Sequence, residues 1–142
     1  MRTNVTFRHP AEFMPVSEDE GILAVDGAAW FVETLRRIDR LVIDTALIQE
    51  DWGVVIFVGR GNCRFWIGLN FWDEGAWLAH VHHRSFAWFQ RLSARGGREL
   101  ERLALDLHTA LESGELVQGV TWHLEAELQM ADAPGASRPD AA

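Results

Sequence analysis

Apolar and polar side chains alternate through the middle of the chain, from residue 52 to residue 84, with turn residues between the runs. Gly61-Asn62 is typical of a two-residue hairpin turn, and Asp73-Glu74-Gly75 suits a three-residue hairpin loop with its glycine in the left-handed conformation. The β-rich runs that these turns separate are residues 54–58, 63–72 and 76–83. The pattern predicts a three-stranded antiparallel meander.

The two turns set the register of the meander, and the register sorts its side chains onto two faces. Trp66 should pair with His82, and Trp72 with Ala76. The predicted core face is almost wholly apolar and comprises Val54, Ile56, Val58, Phe65, Ile67, Leu69, Phe71, Trp77, Ala79 and Val81. The opposite face is mixed and comprises Val55, Phe57, Arg64, Trp66, Asn70, Trp72, Leu78, His80 and His82.

Helical spacing on both sides of the meander predicts the layer that covers its core face. The apolar stripes are Phe31, Leu35, Ile38 and Val42, then Phe86, Phe89 and Leu92, then Leu100, Leu103, Leu107 and Leu111. Residues 117–128 alternate again and predict a final strand. The fold class is therefore α+β, an antiparallel β-meander of about four to six strands packed on one face by two or three helices.

Composition indicates an ordinary globular domain, because 48% of the 142 residues are hydrophobic and 24% are charged. We predict one domain over residues 1–129 and a disordered tail over residues 130–142, where Ala, Pro and Asp dominate. No apolar run approaches the ~20 residues of a membrane span, and residues 1–15 lack the apolar stretch of a secretory signal. With Cys63 as its single cysteine, the sequence favours a cytoplasmic location and no disulfide.

Charge is distributed unevenly along this acidic chain, whose formal net charge is -8. All of its basic residues are arginine, so chemistry that needs a lysine nucleophile is excluded. Acidic residues are concentrated between Ser17 and Asp51, whereas the segment from Gly75 to Arg98 has none. Arginines of that acid-free segment could bind phosphate or nucleic acid, but the net charge argues against this class of partner.

The aromatic content of the mixed face indicates a binding surface. Phe57, Trp66 and Trp72 lie there beside Arg64 and Asn70, and Trp and Arg are the residues that most often anchor protein interfaces. Together with the acidic loop at Glu18, Asp19 and Glu20, this face predicts a non-enzymatic, acidic protein of bacterial type that binds another protein. A basic toxin or effector would suit it, as in immunity proteins and secretion chaperones. Coverage within the monomer and closure by a homodimer are the alternatives.

The one cluster with metal-ligand chemistry is His80-x-His82, whose imidazoles project from the same face of the strand about 7 Å apart. Two such groups can begin a Zn²⁺ site, with Asn70, Asp73, Glu74 or His123 as further ligands. This alternative predicts a small metal-dependent enzyme or ligand-binding protein. The competing interpretation, which needs no cofactor, places both histidines on a polar sheet face.

Overall fold

The structure is a computed structural model, and it describes residues 1–10, 25–44, 48–73, 76–84, 94–129 and 133–141. In chain order the elements are β1 (Asn4–Arg8), α1 (Val25–Arg36), β2 (Val42–Ile43), β3 (Ile48–Glu50), β4 (Gly53–Arg60), β5 (Cys63–Asp73), β6 (Ala76–His83), α2 (Ala94–Glu112), β7 (Gln118–His123) and α3 (Glu125–Leu128). The helix predicted over 86–92 lies outside the described residues.

The strands form one antiparallel sheet in the order β2-β4-β5-β6-β1-β7, and β3 lies next to β2 along the same edge of β4. The meander β4-β5-β6 is at its centre, and the final strand β7 joins it through β1. The predicted α+β class and meander are therefore confirmed. Because β1 lies between β6 and β7, a segment from the start of the chain separates the meander from the last strand.

The predicted register is confirmed along most of the meander, where Val58 pairs with Phe65 and Trp66 with His82. It fails at the far end of β5. There Asp73 pairs with Ala76, and the register shifts after Phe71, so Trp72 is the extra residue of a β-bulge. A three-residue loop and a bulge that precedes a shorter turn use the same number of residues, so the sequence does not distinguish them.

Helices α1 and α2 cover the core face. Phe31 and Leu35 of α1 and Leu103, Leu107 and Leu111 of α2 are fully buried against the sheet. The expected stripe is wrong at its end, because α1 stops at Arg36 and Val42 lies in β2 with 70% of its surface exposed. The chain turns between them at Arg40, whose φ of 58° takes it out of the helical path.

The core face matches its predicted members, with one exception. Phe71 is exposed because it lies at the end of β5 beside the bulge. Among the residues predicted for the opposite face, Leu78 is buried and the others are half-buried or exposed.

The C-terminal segment was expected to be disordered, but the structure places residues 133–141 against the domain. Ala136 and Trp122 exchange two backbone hydrogen bonds of 2.7 Å, and the Arg2 amide donates to the Pro139 carbonyl at 3.0 Å. Local composition indicated weak order, but the open edge of β7 offers the hydrogen-bonding groups that fix this segment. The extent of a single domain over 1–129 stays a prediction.

Candidate protein-binding face

The sheet face opposite α1 and α2, called here the outer face, has two halves of different character. Near β2, β3, β4 and β5 it bears an aromatic patch, which we define as Val42, Ile48, Trp52, Phe57 and Trp66. Near β1, β6 and β7 it bears polar side chains, which we call the polar half. Antiparallel pairing places the members of the patch on one side of the sheet, because directly paired residues share a face.

Trp52 projects over the outer face at the start of β4. Its ring lies against Gly68, where a Cβ would meet Trp52 Cη2 at 2.8 Å, and 42% of the residue remains exposed. Trp66 lies on the other side of Gly68 and stacks on His82, with 4.3 Å between the ring centroids. Absence of a side chain at Gly68 therefore leaves room for the ends of the Trp52 and Trp66 rings.

Two arginines border the aromatic patch. The Arg84 amide donates to the Arg64 carbonyl at 2.8 Å. Arg64 of β5 and Arg84, the residue that follows β6, therefore lie opposite each other. Arg84 Cζ is 3.9 Å from the centroid of the Phe57 ring, a cation–π contact. Arg64 donates to the Gly61 carbonyl at 2.8 Å. A groove of about 440 Å³ runs between these side chains and β2.

Trp72 does not belong to the aromatic patch. Six strand residues, or about 20 Å, separate it from Trp66. It is 49% exposed and lines a separate cavity of about 560 Å³ with Thr6, Arg8 and His123. The sequence predicted one binding face that included both tryptophans, but the structure places Trp72 at the end of β5, away from Trp66.

Asn70 lies between these two regions. It pairs with Leu78 and is half-buried, and its Oδ1 is buried without a hydrogen-bond partner among the described residues. Its Cβ packs against Gly53. Asn70 therefore packs beside the start of β4 and is not part of the exposed surface.

Hydrogen bonds organise the polar half. Asn4 is fully buried between His80 and Glu125, with its Oδ1 2.7 Å from His80 Nδ1 and its Nδ2 donating to the Glu125 carboxylate at 3.2 Å. Thr6 Oγ1 lies 2.8 Å from His123 Nε2. Burial lowers the pKa of both His80 and His123, so the neutral imidazoles are favoured.

The C-terminal segment covers this half. At Gly135 the backbone has a φ of 62°, and a Cβ there would lie 2.8 Å from the His123 ring. Glu127 of α3 accepts from Arg2 at 3.0 Å, which ties α3 to the start of the chain. Asn4, His80, Thr6 and His123 are therefore engaged within the protein, whereas Trp72 at the end of β5 stays exposed.

The candidate metal ligands remain a pair. His80 and His82 share a face as predicted, with ring centroids 6.1 Å apart, but His80 Nδ1 is engaged by Asn4. His123 lies on the far side of Asn4, because β1 separates β6 from β7. Asp73 and Glu74 lie outside the side chains that the structure describes. Within the described ranges no three His, Cys, Asp or Glu side chains form a group that could hold a metal ion.

The remaining charged candidates are only partly placed. Glu18, Asp19 and Glu20 lie outside the described residues. Of the arginines in the acid-free segment, Arg84 follows the sheet, whereas Arg95 and Arg98 are exposed in the first turns of α2. Arg84 therefore does not lie on the helix that bears Arg95 and Arg98. No helix in the described ranges is long and apolar enough to cross a membrane.

Trp52, Val42 and Ile48 are patch members that sequence analysis missed. Gly68 within a strand was the available signal, because an interior glycine often marks the close approach of another group. The group that approaches is Trp52. Residues 41–43 have strand character in the sequence, but no local signal indicated that β2 and β3 would place Val42 and Ile48 beside Trp52.

Comparisons with known proteins add no assignment at this point. No family model matches the chain, and no curated protein or solved structure is significantly similar to it.

Proposed function

We propose that this protein is a non-enzymatic binding protein whose aromatic patch docks on another protein. The observation that supports this is the exposure of Val42, Ile48 and Trp52 next to Phe57 and Trp66, on the half of the sheet that no helix or C-terminal segment covers in the described ranges. A contiguous apolar surface of this kind is typical of interaction sites.

The patch has the properties of an interface anchor. Trp52 and Trp66 are large side chains held by a sheet and by packing on Gly68 and His82, so little conformational freedom remains to be lost on binding. Truncation of a tryptophan at the centre of an interface often costs about 2 kcal/mol or more of binding free energy. Two such anchors on a rigid surface support a specific complex.

Charge supports a class of partner. The net charge of -8 gives the protein a field that attracts a basic surface and accelerates encounter. A basic toxin or effector would meet this requirement, so the proposed role is that of an immunity-like or chaperone-like binder. The acidic residues 18–20 are the predicted contacts for the basic part of the partner.

Affinity capture from the native host, with matched variants, tests the proposal. Wild type and Trp72→Ala should retain the same protein, whereas Trp52→Ala and Trp66→Ala should lose it. Trp72→Ala is the control because it removes an exposed tryptophan of the same strand that lies about 20 Å from Trp66 and outside the patch.

Calorimetry with the purified partner should then show a loss of about 30-fold or more in affinity for each patch variant. Circular dichroism and thermal unfolding confirm that the variants are folded. Equal retention of the partner by all four proteins would contradict the proposal.

A further inference from the structure

We infer that the groove between Arg64 and Arg84 is a carboxylate-binding subsite, and that the partner inserts there an acidic side chain that neighbours an apolar one. The inference rests on the proposed function and specifies the chemistry of the segment bound. It concerns a peptide segment of a protein, because the groove opens directly into the aromatic patch through Val42 and Phe57.

Arg64 and Arg84 bring two like charges to one groove. They are directly opposite across a strand pair, at a separation of roughly 5.5 Å between Cα atoms. Like charges at such positions destabilise a sheet. In the part of the chain that the structure describes, no ion pair joins either arginine to a carboxylate. A bound carboxylate would relieve this repulsion.

Phe57 orients one of the two guanidinium groups. Arg84 Cζ lies 3.9 Å from the centroid of its ring, and this cation–π contact holds the guanidinium at the groove. Arg64 is held by bonds from Nη1 to the carbonyls of Gly61 and Cys63, at 2.8 and 3.1 Å. Planar donors fixed in this way suit the two oxygens of a carboxylate.

The surroundings of the pair favour a side chain over a free ion. Val42 and Phe57 line the same groove, and its volume of about 440 Å³ admits an acidic side chain together with an apolar neighbour. Asp44 is also part of the lining, so a small, highly charged anion would meet a negative group. A segment that combines one carboxylate with apolar contacts satisfies both parts of the surface.

A set of blocked octapeptides tests the inference by calorimetry at low salt. The first alternates leucine and glutamate, and two matched peptides replace glutamate by glutamine or by lysine. Wild type should bind the glutamate peptide about tenfold more tightly than the glutamine peptide, the effect of a charge-assisted hydrogen bond, and should not bind the lysine peptide.

Variants identify the residues responsible. Arg64→Gln combined with Arg84→Gln should abolish the preference for glutamate, and Phe57→Leu should reduce it about threefold by releasing Arg84. The control is Arg36→Gln combined with Arg102→Gln, which removes the same charge from two exposed helical arginines paired with Glu33 and Glu99. This control should keep the preference.

Several results would overturn the inference. These are equal binding of the glutamate and glutamine peptides, no binding of either, or the same loss in the control variant. A wild-type dimer in light scattering that the Arg64/Arg84 variant dissociates would identify a second copy as the occupant, and would also overturn it. The proposed function fails separately, if capture of the partner does not depend on Trp52 and Trp66.

Discussion

The two halves of the outer face contain similar mixtures of residues in the sequence but differ in the folded protein. In the polar half Asn4 is hydrogen-bonded to His80 and to Glu125 of α3, Thr6 is hydrogen-bonded to His123, and the C-terminal segment packs on His123. In the aromatic half Trp52 and Val42 remain exposed beside Arg64 and Arg84. Both halves use the same alternation along their strands, so the alternation alone does not say which half is a surface.

The two halves differ in whether their side chains find partners within the protein. Buried polar atoms need partners, and the polar half obtains them from its own neighbouring strands and from α3. Burying exposed aromatic surface is favourable, and in the described ranges 42% of Trp52 remains exposed. A partner protein would supply that burial, so the aromatic half is the functional candidate. Four predictions, in order of expected effect, test this distinction.

Gly53→Ala should have the largest effect on stability. A Cβ at this position would clash with the Leu69 carbonyl and lie 3.0 Å from Asn70 Cβ, so the backbone of β5 would have to move. We expect a loss of about 3 kcal/mol in the free energy of unfolding, measured by urea denaturation. A change below about 1 kcal/mol would show that β5 can shift away from Gly53 more easily than the close packing there indicates.

Asn4→Ala should destabilise the polar half by about 2 kcal/mol. The substitution leaves His80 Nδ1 and the Glu125 carboxylate without the partner that joins them, at a site with no solvent exposure. Urea denaturation measures the loss. Binding of the partner or of the glutamate peptide by the folded fraction should be unchanged, and a parallel loss of binding would show that the two halves act together.

Stability should fall as the pH drops below the ordinary histidine value of 6.5. Burial is the largest cause of the lowered pKa of His80 and His123, so the unfolded chain takes up protons at a pH where the folded chain does not. The free energy of unfolding is therefore highest above pH 6.5 and decreases from there toward the lowered values.

His80→Gln combined with His123→Gln should flatten this decrease in urea denaturation at a series of pH values. Some slope should remain, because burial also lowers the pKa of His9. Trp52→Ala, in the other half, should keep the wild-type slope. An unchanged slope in the double histidine variant would place the titration elsewhere.

Trp52→Ala should have the smallest effect on stability, under about 1 kcal/mol, because 42% of the residue is exposed. Gly68→Ala should resemble it, since its Cβ would meet the movable end of the Trp52 ring rather than backbone. Thermal unfolding measures stability, and calorimetry should show lost binding of the partner in both variants. Retained binding in Gly68→Ala would mean that the contact of Trp52 with Gly68 is not needed for binding.

Sequence reasoning predicted the meander, its register over most of its length and the helical layer, because turn chemistry and periodicity are local properties. It placed Phe57, Trp66 and Arg64 on the outer face correctly. It failed at Trp72, where a bulge replaces part of the loop, and at Val42, where the chain leaves the helix. At both places the chain can follow more than one backbone path over the same number of residues, so residue spacing alone does not decide between them.

Tertiary structure alone decided which part of the outer face is open. β1 separates the meander from β7, so His123 lies beyond Asn4 and cannot join His80 directly. The edge of β7 binds Ala136, which brings the C-terminal segment over the polar half. Trp52 crosses to Gly68 and extends the aromatic patch. Periodicity along a strand determines the face on which a side chain lies, whereas its exposure depends on segments that are distant in sequence.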